Sequence, residues 1–133
     1  MYEHEYKYKA KVIEVVLLDK KVYIRFDIDL GFNVRTHQLI GLAGRENKKG
    51  VLPSTILQSV GDSAKSFIEI VTSVPSEIVY IEPVVVLKDS ELEILTAVWY
   101  TPVGPQLKRV NLNDELVKRR KAVKVLFDKY RGD

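Results

Sequence analysis

Between Lys21 and Leu30 the chain alternates apolar and polar residues: Val22, Ile24, Phe26 and Ile28 on one parity, Tyr23, Arg25 and Asp27 on the other. Successive strand side chains point to opposite faces, so this period of two predicts a strand with one face buried. Such a strand needs partners, and its neighbours supply them. Val12, Val15-Val16 and Leu17-Leu18 precede the turn candidate Asp19-Lys20-Lys21, which makes the two runs a hairpin. Leu30-Gly31-Phe32-Asn33 is a second break, and Val34 to Leu42 reads as a third strand. It ends at Gly41 and Gly44, where glycine points to tight backbone geometry.

The pattern then loosens. Glu46 to Gly50 reads as a charged loop, and Pro53-Ser54 as the start of a short helical turn carrying Ile56 and Leu57. A clearer helix follows Gly61, with Asp62 or Ser63 as its cap, and Ala64, Phe67, Ile68 and Val71 at helical spacing predict one face packed on a sheet. Pro75-Ser76 stops it. Ile78 to Ile81 and Val84 to Leu87 read as one bent strand with Pro83 at a bulge or edge, since proline has no N–H for a central ladder. Ile94 to Tyr100 is its antiparallel partner across Lys88-Asp-Ser-Glu91. A final helix is expected after Asn113 or Asp114, with Leu116, Val117, Val123, Leu126, Phe127 and Tyr130 as its apolar contacts. Lys118, Arg119, Arg120, Lys121, Lys124, Lys129 and Arg131 would make that helix basic.

At 133 residues the chain fits one domain, residues 1–133. No apolar run approaches the roughly 20 residues that span a bilayer, so no membrane role is expected. No secretory pattern opens the sequence, and a cytoplasmic location is the expectation. The absence of cysteine excludes disulfides, thiolate catalysis and cysteine-ligated zinc. His4 and His37 lack a second ligand at metal spacing, and no Ser/His/Asp or phosphate-loop motif occurs. Asp27 and Asp29 share a strand face and invite a metal reading. The formal charge of +3 is too small to imply a nucleic-acid partner, whereas the cluster from Lys118 to Lys124 is a local candidate for phosphate contact. Tyr23, Tyr80 and Tyr100 are available for base stacking, and Trp99 reads as core.

Several short segments have a further likeness. Tyr8-Lys-Ala-Lys-Val-Ile-Glu-Val-Val16, Phe26-Asp-Ile-Asp-Leu-Gly-Phe32, Gln38-Leu-Ile-Gly-Leu-Ala-Gly-Arg-Glu46, Val98-Trp99 and Leu112-Asn-Asp-Glu-Leu-Val117 stand in the order of motifs in the staphylococcal-nuclease-like family. The chain resembles that family over about residues 8 to 125, most closely its phage and prophage branch. The resemblance implies a mainly β, α+β domain: a small five-stranded oligonucleotide/oligosaccharide-binding barrel with two or three helices. It also implies calcium-dependent hydrolysis of phosphodiesters by two arginines, carboxylates and a glutamate, in which cation and guanidiniums offset the charge on phosphorus.

Most of that machinery is replaced. Against R-L-x-G-I-D-A-P-E, Gln38 stands for the arginine, Ala43 for the metal-binding aspartate and Arg45 for the proline, and Glu46 alone is retained. Within Leu17 to Lys21, where the family has V-D-G-D-T, Asp19 is the sole carboxylate. Glu93 falls where the second arginine belongs, a reversal of charge facing phosphate. Arg35 cannot replace the arginine lost at Gln38, because an odd offset on a strand turns it to the other face. Two residual carboxylates do not make the six to eight oxygens that calcium takes, and the resemblance implies that Asp27 and Asp29 are solvated, since the family keeps acidic residues at this place outside its active site. The sequence therefore points away from an enzyme, toward a catalytically degenerate, non-catalytic module for nucleic acid or a protein partner. Its alternatives are an altered nuclease using Glu46 and Asp19, the only case that needs calcium, and an assembly component pairing through a strand edge or the basic helix. No residue is assigned to a metal with assurance, and the oligomeric state is left open.

Overall fold

The computed structural model describes residues 7–44, 55–73, 78–88, 91–102 and 108–126. Strands β1 (Tyr8–Leu18) and β2 (Lys21–Gly31) form the expected hairpin, with Leu18 opposite Lys21. Asp19 and Lys20 both have positive φ, 53° and 68°, as a tight two-residue hairpin turn requires. Val22, Ile24, Phe26 and Ile28 are buried, as their alternation demands. β1 shows no such alternation because a bulge between Val12 and Glu14 shifts its register against β2. Ala10 faces the core before the bulge and Val15 after it, and Ile13 is turned outward.

Five strands close into a barrel. β3 (Val34–Leu42) is antiparallel to β2, and β1 pairs with β5 (Ile78–Lys88). β5 pairs with β6 (Glu91–Tyr100), and β6 closes the ring by running parallel to β3 at Gly41–Leu95 and Leu42–Thr96. The cycle β1-β2-β3-β6-β5 is a closed, mixed, five-stranded barrel compatible with an oligonucleotide/oligosaccharide-binding fold. β5 pairs with β1 only from Ile78 to Ile81, so Pro83 lies past that ladder and leaves no N–H unmet on that side. Helix α1 (Ser63–Ser73) follows Asp62, buries Ala64, Ile68 and Thr72, and packs on β1 as its spacing predicts.

Two expected elements are corrected. Thr55–Ser59 is a strand, β4, where a helical turn was expected; Ile56 and Leu57 are both fully buried, one on each of its faces. The basic C-terminal helix is absent from the described residues. A two-residue strand, β7 (Val110–Asn111), leads into the short helix α2 (Leu112–Lys118), and Ala122–Leu126 is strand β8, antiparallel to β4. The cap of α2 is Asn111, whose side chain accepts from the Asp114 N–H, while Asn113 is buried. α2 ends because Arg120 adopts φ 59°, with Arg120 N–H donating to Val117 O and Lys121 N–H to Leu116 O, the paired bonds of a Schellman stop. No spacing rule revealed β8, since its only described partner, β4, lies more than sixty residues earlier in the chain. Pro53-Ser54, Pro75-Ser76, Phe127 and Tyr130 lie outside the described residues.

The main core fills the barrel and takes Ala64 and Ile68 from α1 and Leu112 and Leu116 from α2. A second, smaller core of Ala43, Ile56 and Leu95, flanked by Tyr23 and Val125, lies under β4 and β8. Gly41 permits that contact: a Cβ there would stand 3.0 Å from Ile56 Cδ1 and 3.1 Å from Leu95 Cδ2 and Tyr23 Cε2. Among the described residues no helix is long and apolar enough to cross a membrane.

Candidate functional site

Of the positions singled out for catalysis, Asp19 and Gln38 lie far apart. Asp19 sits at the exposed tip of the β1–β2 hairpin, 3.9 Å from the Lys21 ammonium. Gln38 pairs with Phe26 of β2, five residues along from Lys21, so roughly 17 Å of strand separates it from that tip. The Gln38 carboxamide donates to Thr36 Oγ1 at 2.9 Å and borders a cavity at the far end of the barrel. Ala43 is completely buried in the second core; its N–H donates to Thr96 O at 2.9 Å. Glu46 and Arg45 lie outside the described residues. Glu93 pairs with Val86 along the β5–β6 ladder. Among the described residues no group of three His, Asp or Glu side chains is placed to hold a metal ion.

Arg35 faces away from Gln38, as its odd offset requires. Its Nε donates to Asp27 Oδ1 at 2.9 Å, and its Nη1 lies 3.9 Å from Asp29 Oδ2. His37 Nε2 is 3.5 Å from the same Asp27 oxygen. Asp27 and Asp29, read from sequence as solvated, are therefore members of a surface ion-pair cluster. The Arg35 hydrogen bond holds the Asp27 carboxyl below its usual range, and Asp27 raises Arg35 in turn. Asp29 also accepts from the Gly31 N–H at 2.8 Å, which fixes the next turn.

The tyrosines are largely engaged. Tyr100 is buried, and burial raises its phenol above the ordinary value, with the Glu115 charge adding to the effect. The Arg109 guanidinium covers the Tyr80 ring at 3.7 Å, and Tyr23 packs on the second core. Trp99 is half-buried with the Lys7 ammonium 4.9 Å over its ring.

The basic residues are the group that tertiary structure brings together. Along β4 and just past it, four successive positions meet four lysines from two distant segments. Leu57 pairs with Lys124 and Gln58 with Lys21. The Ser59 N–H donates to Lys20 O at 2.7 Å, and the Val60 N–H to Lys121 O at 2.8 Å. The β1–β2 tip and the α2–β8 turn are thereby fixed on either side of β4, about 100 residues apart in sequence. Lys118, Arg119, Arg120 and Lys124 are exposed, as is Lys20, which sequence reasoning treated only as a turn residue. Its signal was the lysine pair in Asp19-Lys20-Lys21, meaningful only once β4 is a strand. Arg119 is committed elsewhere: its Nε donates to Glu115 Oε1 at 3.0 Å and its guanidinium stands 5.2 Å from the Phe67 ring.

Compared with protein-family models, curated proteins and solved structures, the chain matches none. Lys20, Lys118, Arg120 and Lys124 form an exposed basic surface around β4 and the α2–β8 turn.

Proposed function

We propose that this chain is a catalytically degenerate barrel of the staphylococcal-nuclease-like kind, of its phage and prophage branch, and that it binds nucleic acid without cleaving it. Lys20, Lys118, Arg120, Lys121 and Lys124 hold the phosphates. The observation that carries the reading is the convergence on β4, where Ser59 and Val60 bond the backbones of Lys20 and Lys121. Fixed main chain lowers the ordering cost of each cation, and nonspecific binding needs only charge at the spacing of a phosphate backbone. The degenerate half of the reading is supported by Gln38, Ala43 and Glu93, and by the burial of Ala43, where a carboxylate would be desolvated.

Fluorescence anisotropy with a labelled single-stranded oligonucleotide, with calcium and with chelator, tests this directly. Five phosphate contacts predict a log–log salt slope of about −3.5, and Lys20→Gln with Lys121→Gln should flatten it by about 1.4. Intact oligonucleotide is expected throughout. Absence of binding at low salt sinks the reading in favour of a protein partner. Chelator-sensitive cleavage lost in Glu46→Gln would replace it with the calcium-dependent nuclease alternative.

A further inference from the structure

We propose that two copies of this chain associate mouth to mouth, each placing Phe32 in the apolar cavity at the open end of the other's barrel. That end is remote from the basic surface, since β2 runs 11 residues from the tip at Lys21 to the mouth at Gly31, about 35 Å. The inference is therefore independent of phosphate binding.

The receiving site is a cavity of about 370 Å³ to which all five barrel strands contribute, among them Tyr8, Ile28, Leu30, Ile40, Ile81 and Ile94. A cavity of about 150 Å³ already accepts a benzene ring, so an aromatic side chain fits with room to spare. The polar groups of the lining are the Gln38 carboxamide, the Thr96 hydroxyl and the Tyr8 phenol, and the rest of it is apolar. A charged or strongly polar occupant would lose its hydration there and gain little.

The inserting group is Phe32. It lies in the β2–β3 turn two residues beyond Leu30, fully exposed, with φ 53°. A bulky side chain at positive φ is an outlier, and the neighbouring turn position already carries Asn33, a residue that accepts φ 65° readily. Neither turn chemistry nor solvation accounts for a phenylalanine there, and burial against another molecule accounts for both its exposure and its strain.

The occupant is a second copy because knob and hole lie on the same face. A surface that carries both is self-complementary about a two-fold axis, and such a contact closes at two chains. Tyr8, Leu30, Phe32, Val34 and Ile94 are all exposed at this end and together offer on the order of 500 Å² of apolar surface. With a polar rim this approaches the roughly 800 Å² per partner of a standard interface. Among the described residues the charges nearest the turn are paired, Arg35 with both Asp27 and Asp29, which leaves a net charge of only −1 from these three on each face.

Sedimentation equilibrium of the full chain across micromolar concentrations should show a mass rising toward twice 15.2 kDa. Phe32→Asn should weaken the dimer at least about 30-fold, as loss of a central aromatic anchor does. It also relieves the turn, so its urea midpoint, measured at a concentration where both proteins are monomeric, should equal or exceed that of the parent, which separates lost association from lost folding. Ile94→Lys, on the rim of the cavity, should also be monomeric. A parent chain that stays monomeric throughout, or a Phe32→Asn variant that dimerises like the parent, overturns the proposal.

Discussion

Replacing Asn113 with alanine should open the seam that closes the barrel. The Asn113 side chain sits in the core beside the parallel β3–β6 junction: its Oδ1 accepts from the Val98 N–H at 2.9 Å, and its Nδ2 donates to Ala43 O at 2.7 Å and Thr96 O at 3.0 Å. Thr96 O keeps a second donor in the Ala43 N–H. Alanine therefore strands two buried backbone groups, Val98 N–H and Ala43 O. Each costs about 1–3 kcal/mol, and water entering the vacated space offsets part, so a loss of about 3 kcal/mol is expected. Against a domain stability of about 5–15 kcal/mol this is a large fraction. With a urea m-value of about 1.5–2 kcal/mol/M the midpoint should fall by about 1.5–2 M. The single tryptophan, Trp99 on β6, and far-UV circular dichroism report the transition. Asn113→Asp refines the test. Its carboxylate would face the Ala43 and Thr96 carbonyls, so burial and repulsion raise its folded pKa above the unfolded value of about 3.9. Stability is then retained below that unfolded value and lost as pH rises through the folded one, so the deficit against the parent grows from pH 4 to pH 7. An alanine variant within about 0.5 kcal/mol of the parent, well inside the range for surface substitutions, refutes the clamp, as does an aspartate variant whose deficit does not change with pH.

Two further outcomes follow from local geometry. Arg120→Gly removes a side chain from a left-handed helix stop and should stabilise by about 0.5–1 kcal/mol in urea melts while weakening oligonucleotide binding; destabilisation would contradict the Schellman geometry. Asp27→Asn should lose the part of stability that Arg35 confers above the ordinary carboxyl range, and parent and variant should converge as pH falls through the depressed Asp27 pKa, a difference read from paired acid-unfolding curves.

The barrel is legible in the chain wherever burial imposes a short period. The alternation of β2, the breaks at Asp19 and Gly31, the spacing of α1 and the Pro83 strand each follow from a local rule. β1 is readable only in outline, because its bulge switches which parity faces inward. Lys118 to Lys124 was misread because its cations fit a helix as well as a turn and a strand, and Arg120 leaves the helix at a residue type that gives no warning. Asn113 had a visible place in its motif, yet its role needs the end of β3 beside β6.

By itself, then, the sequence determined a mainly β chain without cysteine chemistry, and its resemblance to the staphylococcal-nuclease-like family carried the expectation of a small barrel in which Gln38, Ala43 and Glu93 replace two arginines and an aspartate. Only the tertiary structure decided that β4 joins Lys20 to Lys121 and that Ala43 is sealed in a second core. Only it set Phe32 and an apolar cavity at one end of the barrel. Periodicity records whether a residue faces inward, which is local to its own strand. Which segments meet depends on long-range pairing, and the backbone hydrogen bonds that fix such pairing are made alike by every residue type except proline.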